Sequence, residues 1–252
     1  MKIIFNADDF GMSKGVNLGI VEAHKNGPVR SATIMAGMDA FNHAVQLAKE
    51  NPSLKVGVHL TLNAGKSVGG VYQTITDKGG NFFSIQVGLE RIKKEIVDFK
   101  EVEREFEAQI QKVLNAGIAP SHLDSHHHVH NHPEITQVFI RVAKKYGIKR
   151  VRLTNGLSGD DAREFSSTDR FDASFFGENI TIEHLKQIIS KGNGQSLEIM
   201  THPAYLDNAL CKISSYHQKR MLEMEILTSK ELKDFLNSGG YEIVSFEDLS
   251  DS

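Results

Sequence analysis

The sequence predicts an α/β fold, a single domain of 252 residues arranged as a distorted (βα) barrel of about seven parallel strands. Three observations carry this. Short Val-, Ile- and Leu-rich runs alternate with helical periodicity along the whole chain. Residues able to do chemistry fall at the ends of those runs, and a chain of this length can close one α/β barrel. The alternative is an open, doubly wound sheet. The placement of the polar residues favours the barrel, where all strand ends meet on one face.

Residues 2–7 read as a buried first strand that ends at the turn Asp8-Asp9-Phe10-Gly11. Val16, Ile20, Val21 and Ala23 then mark a helix stopped at Asn26-Gly27. The second strand is 30–36, and Asp39 is placed to cap a helix carrying Phe41, Ala44, Val45 and Ala48. Strand three is 55–62. Residues 63–87 break the rhythm with five glycines and the aromatics Tyr72, Phe82 and Phe83, which suggests a loop covering substrate. From Leu89 to Val113 apolar residues recur every three or four positions, an amphipathic helix with a break near Asp98. Strand four (118–125) leads to a helix over 133–146 with Pro133 in its first turn and Gly147 closing it. Strand five (149–154), an irregular segment (155–179), a helix (182–190) and strand six (196–201) follow. Helices over 218–227 and 230–237 precede strand seven, 241–245.

The net charge of -3 and pI near 6.5 give no basic field for nucleic acid or anionic lipid, so a small molecule or neutral polymer is the expected partner. Cys211 is the single cysteine, and no stretch reaches the ~18 apolar residues of a membrane span. The cytoplasm is the expected address. Nothing in the sequence speaks against a homodimer.

Six of the twelve histidines lie between His122 and His132. If strand four runs on into this stretch, alternation puts His126, His128 and His130 on one side and His127 on the other. Asp8 and Asp9 end strand one, His59 lies near the end of strand three, Arg152 and Asn155 end strand five, and His202 follows strand six. Two neutral imidazoles and a carboxylate form a three-ligand catalytic metal site with one position left open. Asp9, His59 and either His126 or His128 supply that set. Asp8 is then free to act as general base, and His202, held extended by Pro203, as general acid. His128, Arg152, Tyr205 and Asp207 are candidates for substrate contact, and Tyr72, Phe82, Phe175 and Tyr205 for stacking on a sugar ring. Singly, each has a plainer reading as a turn, a cap or a satisfied core residue. Their coincidence at strand ends is what argues for a site.

The strings Asn6-Ala7-Asp8-Asp9-Phe10-Gly11, His59-Leu60-Thr61-Leu62, His122-Leu123-Asp124-Ser125-His126-His127-His128-Val129-His130 and His202-Pro203-Ala204-Tyr205-Leu206-Asp207 resemble those of YdjC-like carbohydrate deacetylases of the chitooligosaccharide type. The resemblance runs from about residue 1 to residue 247 and includes Ser13-Lys14-Gly15, Phe175-Phe176-Gly177-Glu178 and Glu225-x-Leu227-Thr228. It implies a deacetylase-like (βα) barrel that removes acetyl groups from N-acetylated sugars with one divalent metal. It places the metal on Asp9, His59 and His126 and the base on Asp8. The family points to magnesium, whereas a His-His-Asp donor set equally suits zinc, manganese, iron or cobalt. Two other functions compete: a metal-dependent phosphoesterase, which would hold more than one metal, and a non-catalytic sugar or metal binder, which would have no need of Asp8.

Overall fold

The computed structural model describes residues 1–152, 164–192 and 194–249. Seven parallel strands form one sheet in the order β4-β3-β2-β1-β6-β5: β1 (Lys2–Phe10), β2 (Val29–Ile34), β3 (Lys55–Leu60), β4 (Leu123–Ser125), β5 (Arg170–Asp172) and β6 (Ser196–Thr201). The seventh, β7 (Glu242–Ile243), pairs with Lys2 and Ile3 of β1, ahead of the point where β2 takes over at Phe5. Isolated bridges Leu123↔Val151 and Arg150↔Ser166 link β4 towards the segment that enters β5. The sheet therefore curls almost into a ring, as a distorted (βα) barrel.

The helices are α1 (Lys14–Asn26), α2 (Phe41–Glu50), α3 (Ile85–Lys93), α4 (Phe99–Asn115), α5 (Pro133–Lys145), α6 (Ile182–Ser190), α7 (Asn208–Ile213), α8 (Gln218–Leu227) and α9 (Lys230–Ser238). Most of the local signals hold. Pro133 opens α5, and Gly147 follows α5 at φ +66°; Ser13, not picked out as a cap from the sequence, accepts from Val16 N at 3.1 Å at the start of α1. The break near Asp98 is real, because Asp98 caps α4 and separates it from α3.

Several expectations are corrected. Asp39 does not cap α2; Ala40 holds that position without a side-chain bond. Strand four is shorter than 118–125, since Pro120 has no N–H for the ladder, although Ser121 N still reaches Val56 O at 2.9 Å. In place of a regular strand over 149–154 the described residues make only the two bridges, and Thr154 and Asn155 lie outside the described residues. Strand seven shrinks to two residues, while β5 and α7 arise where no periodicity marked them.

The strands bury both faces, and the two faces differ. Outward positions such as Ile3, Phe5 and Ala7 in β1, Val56 and Val58 in β3, and Leu197 and Ile199 in β6 pack in the main apolar core. The alternate positions are polar: Asn6 and Asp8, Ser31 and Thr33, His59, Asp124 and Glu198, all buried. Below them Ile4, Val244, Phe246 and Leu249 form a small apolar plug, with Phe246 stacked on His122 at 3.8 Å. A polar network in such a place must be satisfied internally, since each unpaired group costs roughly 1–3 kcal/mol.

The segment between β3 and α3 is held from behind by α4. Glu105 accepts from Val68 N and Gly69 N at 2.8 and 2.9 Å, and Glu101 from Gln73 N and Thr74 N at 3.1 and 2.8 Å. Gln109 exchanges bonds with the backbone of Thr61. These three side chains, spaced one helical turn apart, form one face of α4.

Candidate active site

Asp8 and Asp9 are sequence neighbours, which a regular strand would point to opposite faces. Here the register against β2 shifts between Ala7 and Phe10, and Asp9 takes the left-handed conformation at φ 71°. Aspartate is among the few residues enriched there. Both carboxylates consequently line one cavity of about 880 Å³ at the carboxyl ends of the strands.

His59 is oriented from the interior. Its Nδ1 lies 2.7 Å from Asp124 Oδ1, and the other Asp124 oxygen accepts from Thr33 Oγ1 at 3.1 Å. With Nδ1 engaged by this carboxylate, Nε2 is the nitrogen turned to Asp9 Oδ1 at 3.4 Å, and it would become a ligand on giving up its proton when a cation binds. His126, in the 3-10 turn directly after β4, brings Nδ1 to 2.9 Å from the same oxygen. Asp9 Oδ1 is buried, yet accepts no hydrogen bond. The three atoms lie within 4.8 Å of one another, so a buried, unpartnered carboxylate oxygen faces two imidazole nitrogens. This donor set fits a divalent cation with an open position. A second grouping of Asp8, His59 and Asp124 shares His59, but its atoms are already hydrogen-bonded to one another and to Arg152, so it fits less well.

Asp8 is held differently. Arg152 donates from Nη1 to Oδ2 and from Nη2 to Oδ1, each at 2.7 Å, and Asn6 Nδ2 adds a bond of 2.8 Å. Burial alone would raise the Asp8 pKa, but Arg152 outweighs it and holds the carboxyl well below the usual range. Arg152 also reaches Glu198 from Nε at 2.8 Å and Asp124 from Nη1 at 2.8 Å. It is fully buried and does not line the cavity. The expectation that Arg152 contacts substrate is therefore corrected: three buried carboxylates use its fork.

His202 follows β6 and lines the cavity. Glu223 Oε2 accepts from its backbone N at 2.5 Å, and Glu223 Oε1 stands 3.5 Å from Nδ1. Close approach of α1 fixes this segment. A Cβ at Gly19 would meet Ala204 Cα at 2.4 Å, and Tyr205 N donates to Gly15 O at 3.0 Å. Tyr205 and Asp207 do not line the cavity. Tyr205 points outward at 41% exposure, and Asp207 caps α7 through Leu210 N at 2.7 Å while accepting from Gly15 N.

The histidine run does not alternate. His127 and His128 both adopt left-handed φ, 53° and 52°, which turns the chain so that His126, His127 and His128 all line the cavity. His130 points away, bonded to Ser125 Oγ at 2.5 Å and stacked on Phe139. Of the proposed stacking residues, Phe82 lines the cavity, Phe175 is core, and Tyr72 and Tyr205 stand outside it. Within the long loop, Asn63, Gly65, Lys66, Asn81 and Phe82 form cavity wall, and residues 85–87 belong to α3.

Sequence reasoning missed Arg220, Glu223, Tyr216 and Phe176. Arg220 and Glu223, three apart on α8, reach the two poles of the site: Arg220 Nη2 donates to Asp9 Oδ2 at 2.6 Å, and Glu223 supports His202. Phe176 stacks on Tyr216 at 4.1 Å beside His202. The only available signal was an Arg-x-x-Glu pair on one helical face, which surface helices also show.

The histidines set the pH response. Burial pushes His122 and His130 down to about 3, and His127 and His128 to about 4. Below pH 6.5 the unfolded chain binds protons that these neutral rings refuse, so their contribution is complete above 6.5 and is lost as pH falls towards 3. His59 has the opposite sign. Burial alone would lower it, but Asp124, Asp9 and Asp8 raise it to about 10, so its contribution is complete below 6.5 and is lost as pH rises through 10. Chelator-treated protein should therefore melt at progressively lower temperature on either side of about pH 6.5. A flat melting temperature from pH 4 to 7 would contradict this.

Residues 2–238 match the family described as YdjC-like protein. Carbohydrate deacetylase 1 of Listeria innocua serovar 6a is 44% identical over 255 residues, covering 99% of this chain and 100% of that protein. The carbohydrate deacetylase of Brevibacillus brevis is 42% identical over 253 residues, with the same coverage. Among solved structures, a protein of Enterococcus faecalis V583 named for cellobiose-phosphate cleavage is 31% identical with a TM-score of 0.87, covering 98% of this chain and 97% of that one. With the family matched over nearly its whole length and its motifs gathered around one cavity, the chain belongs to the YdjC-like family.

Proposed function

We propose that this protein is a metal-dependent hydrolase that removes acetyl groups from N-acetylated sugars, with chitooligosaccharide-like substrates. The observation that carries the reading is Asp9 Oδ1, buried and unpartnered between His59 Nε2 and His126 Nδ1, with Asp8 and His202 flanking it in the same cavity. The relatives named carbohydrate deacetylases support the substrate class.

Asp9, His59 and His126 would hold the cation. When bound, it would polarise the acyl carbonyl and lower the pKa of water, worth several kcal/mol. Magnesium follows from the family, and zinc or another transition metal from the nitrogen ligands. Asp8 is kept ionised by Arg152 and accepts the proton of the attacking water. The water oxygen bonds to the acyl carbon, the C–N bond breaks, and the nitrogen leaves with a proton from His202. Amide and water give amine and acetate. Glu223 beside Nδ1 leaves His202 Nε2 as the nitrogen that serves the cavity. A phosphoesterase with several metals is less well supported, because among the described residues the two candidate ligand groups share His59. One catalytic domain and a cytoplasmic setting complete the proposal; no described helix is long and apolar enough to cross a membrane.

The test is acetate release over a panel of N-acetylated mono- and oligosaccharides, with metal-stripped and metal-restored protein. Release that requires added metal supports the proposal, and release unaffected by chelation sinks its metal part. A second expectation concerns the ligands. Ala at Asp9, His59 or His126 should abolish tight stoichiometric metal while the circular dichroism spectrum persists, because the ligands come from three separate strand ends. Unchanged metal content in His126→Ala would transfer that position to His128.

A further inference from the structure

Phe175 and Phe176 are neighbours with opposite environments. The backbone at Phe176 is extended, φ -153° and ψ 153°, so successive side chains leave it on opposite sides. Phe175 is fully buried in the main core, whereas Phe176 is 41% exposed and lines the cavity. The other Phe and Tyr residues of that wall, Phe82 and Tyr216, are half-buried. The exposed ring is clamped from behind. It stacks on Tyr216 with 23° between the planes, and Tyr216 Oη donates to Glu223 Oε1 at 2.5 Å. The same Glu223 accepts from His202 N. Lys219 of α8 pairs with Glu178, two residues beyond Phe176, and Asn179 N donates to Phe176 O at 3.1 Å. Phe176 and His202 are thus mounted on one frame, with ring centroids 5.5 Å apart at 66°. An exposed phenyl alone says little, but one held rigidly at a cavity wall beside an acid offers a ligand a fixed apolar face.

We propose that Phe176 is the platform on which the sugar ring carrying the departing nitrogen stacks, and that it selects a pyranose amide over an acyclic one. This rests on the reading of His202 as the acid of an amide hydrolase that acts on sugars. The nitrogen protonated by His202 is bonded directly to a carbon of its sugar ring, so that ring must lie against the surroundings of the imidazole. Two aromatic residues stand there, Phe176 and Tyr216, the latter 5.7 Å from His202 between centroids. Tyr216 already has Phe176 stacked on it and Arg220 Cζ at 5.4 Å from its centroid, which leaves Phe176 as the more open ring. A pyranose of the glucose series carries its hydroxyls around the rim and presents axial C–H groups on its face. That face packs on an aromatic ring without stranding a polar group, and an acyclic amide has none. Stacking also fixes where the nitrogen stands relative to His202, so part of the contact should appear in kcat as well as in affinity.

Phe176→Tyr, Phe176→Leu and Phe176→Ala test the contact. The readouts are the dissociation constant of the metal-loaded protein for the deacetylated glucosamine dimer, by calorimetry, and kcat and KM for acetate release from the N-acetylated dimer. Tyrosine keeps an aromatic face, and leucine keeps apolarity without one. Phe176→Tyr should bind the dimer within about threefold of wild type, while Phe176→Leu and Phe176→Ala should each lose at least about fivefold in affinity and raise KM by a similar factor. Tyr205→Ala removes an equally exposed aromatic that does not line the cavity, and should bind as wild type does. Leucine binding as well as tyrosine would reduce Phe176 to apolar packing and overturn the proposal, as would an equal loss in Tyr205→Ala. A lower kcat with unchanged dimer affinity would make Phe176 only a support for His202 and overturn it too. If Phe176→Ala does not fold, the leucine and tyrosine variants decide. If wild-type protein releases no acetate from any sugar, the deacetylase reading falls, yet dimer binding still decides the contact. Weakening in Phe176→Leu but not in Phe176→Tyr upholds it, and equal binding by all, or none by wild type, overturns it.

Discussion

Asp8→Asn is expected to keep the metal content and fold of the wild type while losing about 10²- to 10⁴-fold in kcat, the usual effect of removing a positioned general base. The substitution preserves shape. Asparagine still offers one oxygen to the Arg152 fork, and Arg152 keeps Asp124 and Glu198 as partners. What disappears is the proton acceptor. Because Arg152 holds the Asp8 carboxyl ionised far below neutrality, the acid side of the wild-type profile above about pH 5 comes from other groups, and Asp8→Asn should lower it without changing its shape. His202→Ala should lose a comparable factor on ordinary acetamides, but less on a trifluoroacetamide, whose carbonyl needs less help. Equal losses of both variants on every substrate, or loss of metal in either, would show the roles to be misassigned.

Arg152→Met should have the largest effect on stability. The wild-type guanidinium satisfies Asp8, Asp124 and Glu198, all buried, from β1, β4 and β6. Removing one partner from a buried ionic network costs about 3–5 kcal/mol, because it leaves uncompensated charge, and for a chain of this size that is a fall in melting temperature of roughly 6–20 °C. Burial, only partly offset by Arg152, pushes Glu198 up to about 7, so without that cation Glu198 should become protonated at neutral pH. Arg152→Lys should rescue little, since one ammonium cannot span three carboxylates in a fork. A melting temperature within about 2 °C of wild type in Arg152→Met would refute the claim that this network holds the barrel interior together.

Most of the scaffold was legible because its signals are local. Alternation of apolar runs with helical periods gives the barrel, and Asp98, Pro133 and Gly147 punctuate helices through bonds or torsions that involve a few neighbouring residues. The acidic pair at the end of β1 and the histidine-rich stretch after β4 were legible as chemistry. Their aim was not. That Asp8 and Asp9 face the same way depends on a left-handed Asp9, and that three successive histidines line one cavity depends on two more left-handed residues. Arg152 could be seen at a strand end, but its fate depends on three carboxylates distant in sequence. Arg220 and Glu223 lie on a helix whose exterior looks like any solvated face, and only the close docking of α1 and α8 turns them inward.

The grip of α4 on the segment leaving β3 has a bearing on how this scaffold can change. Glu101 and Glu105 take hold of main-chain N–H groups of Val68, Gly69, Gln73 and Thr74, which every residue except proline possesses. The anchorage is thus indifferent to which side chains the segment carries, whereas the wall it builds includes Lys66, Asn81 and Phe82, residues whose side chains the anchorage does not constrain. One helix fixes where the wall stands, and its surface can be rewritten one residue at a time without dismantling the mount. New ligand preferences could therefore arise by substitution in this segment while the barrel and Asp8, Asp9, His59, His126 and His202 remain untouched.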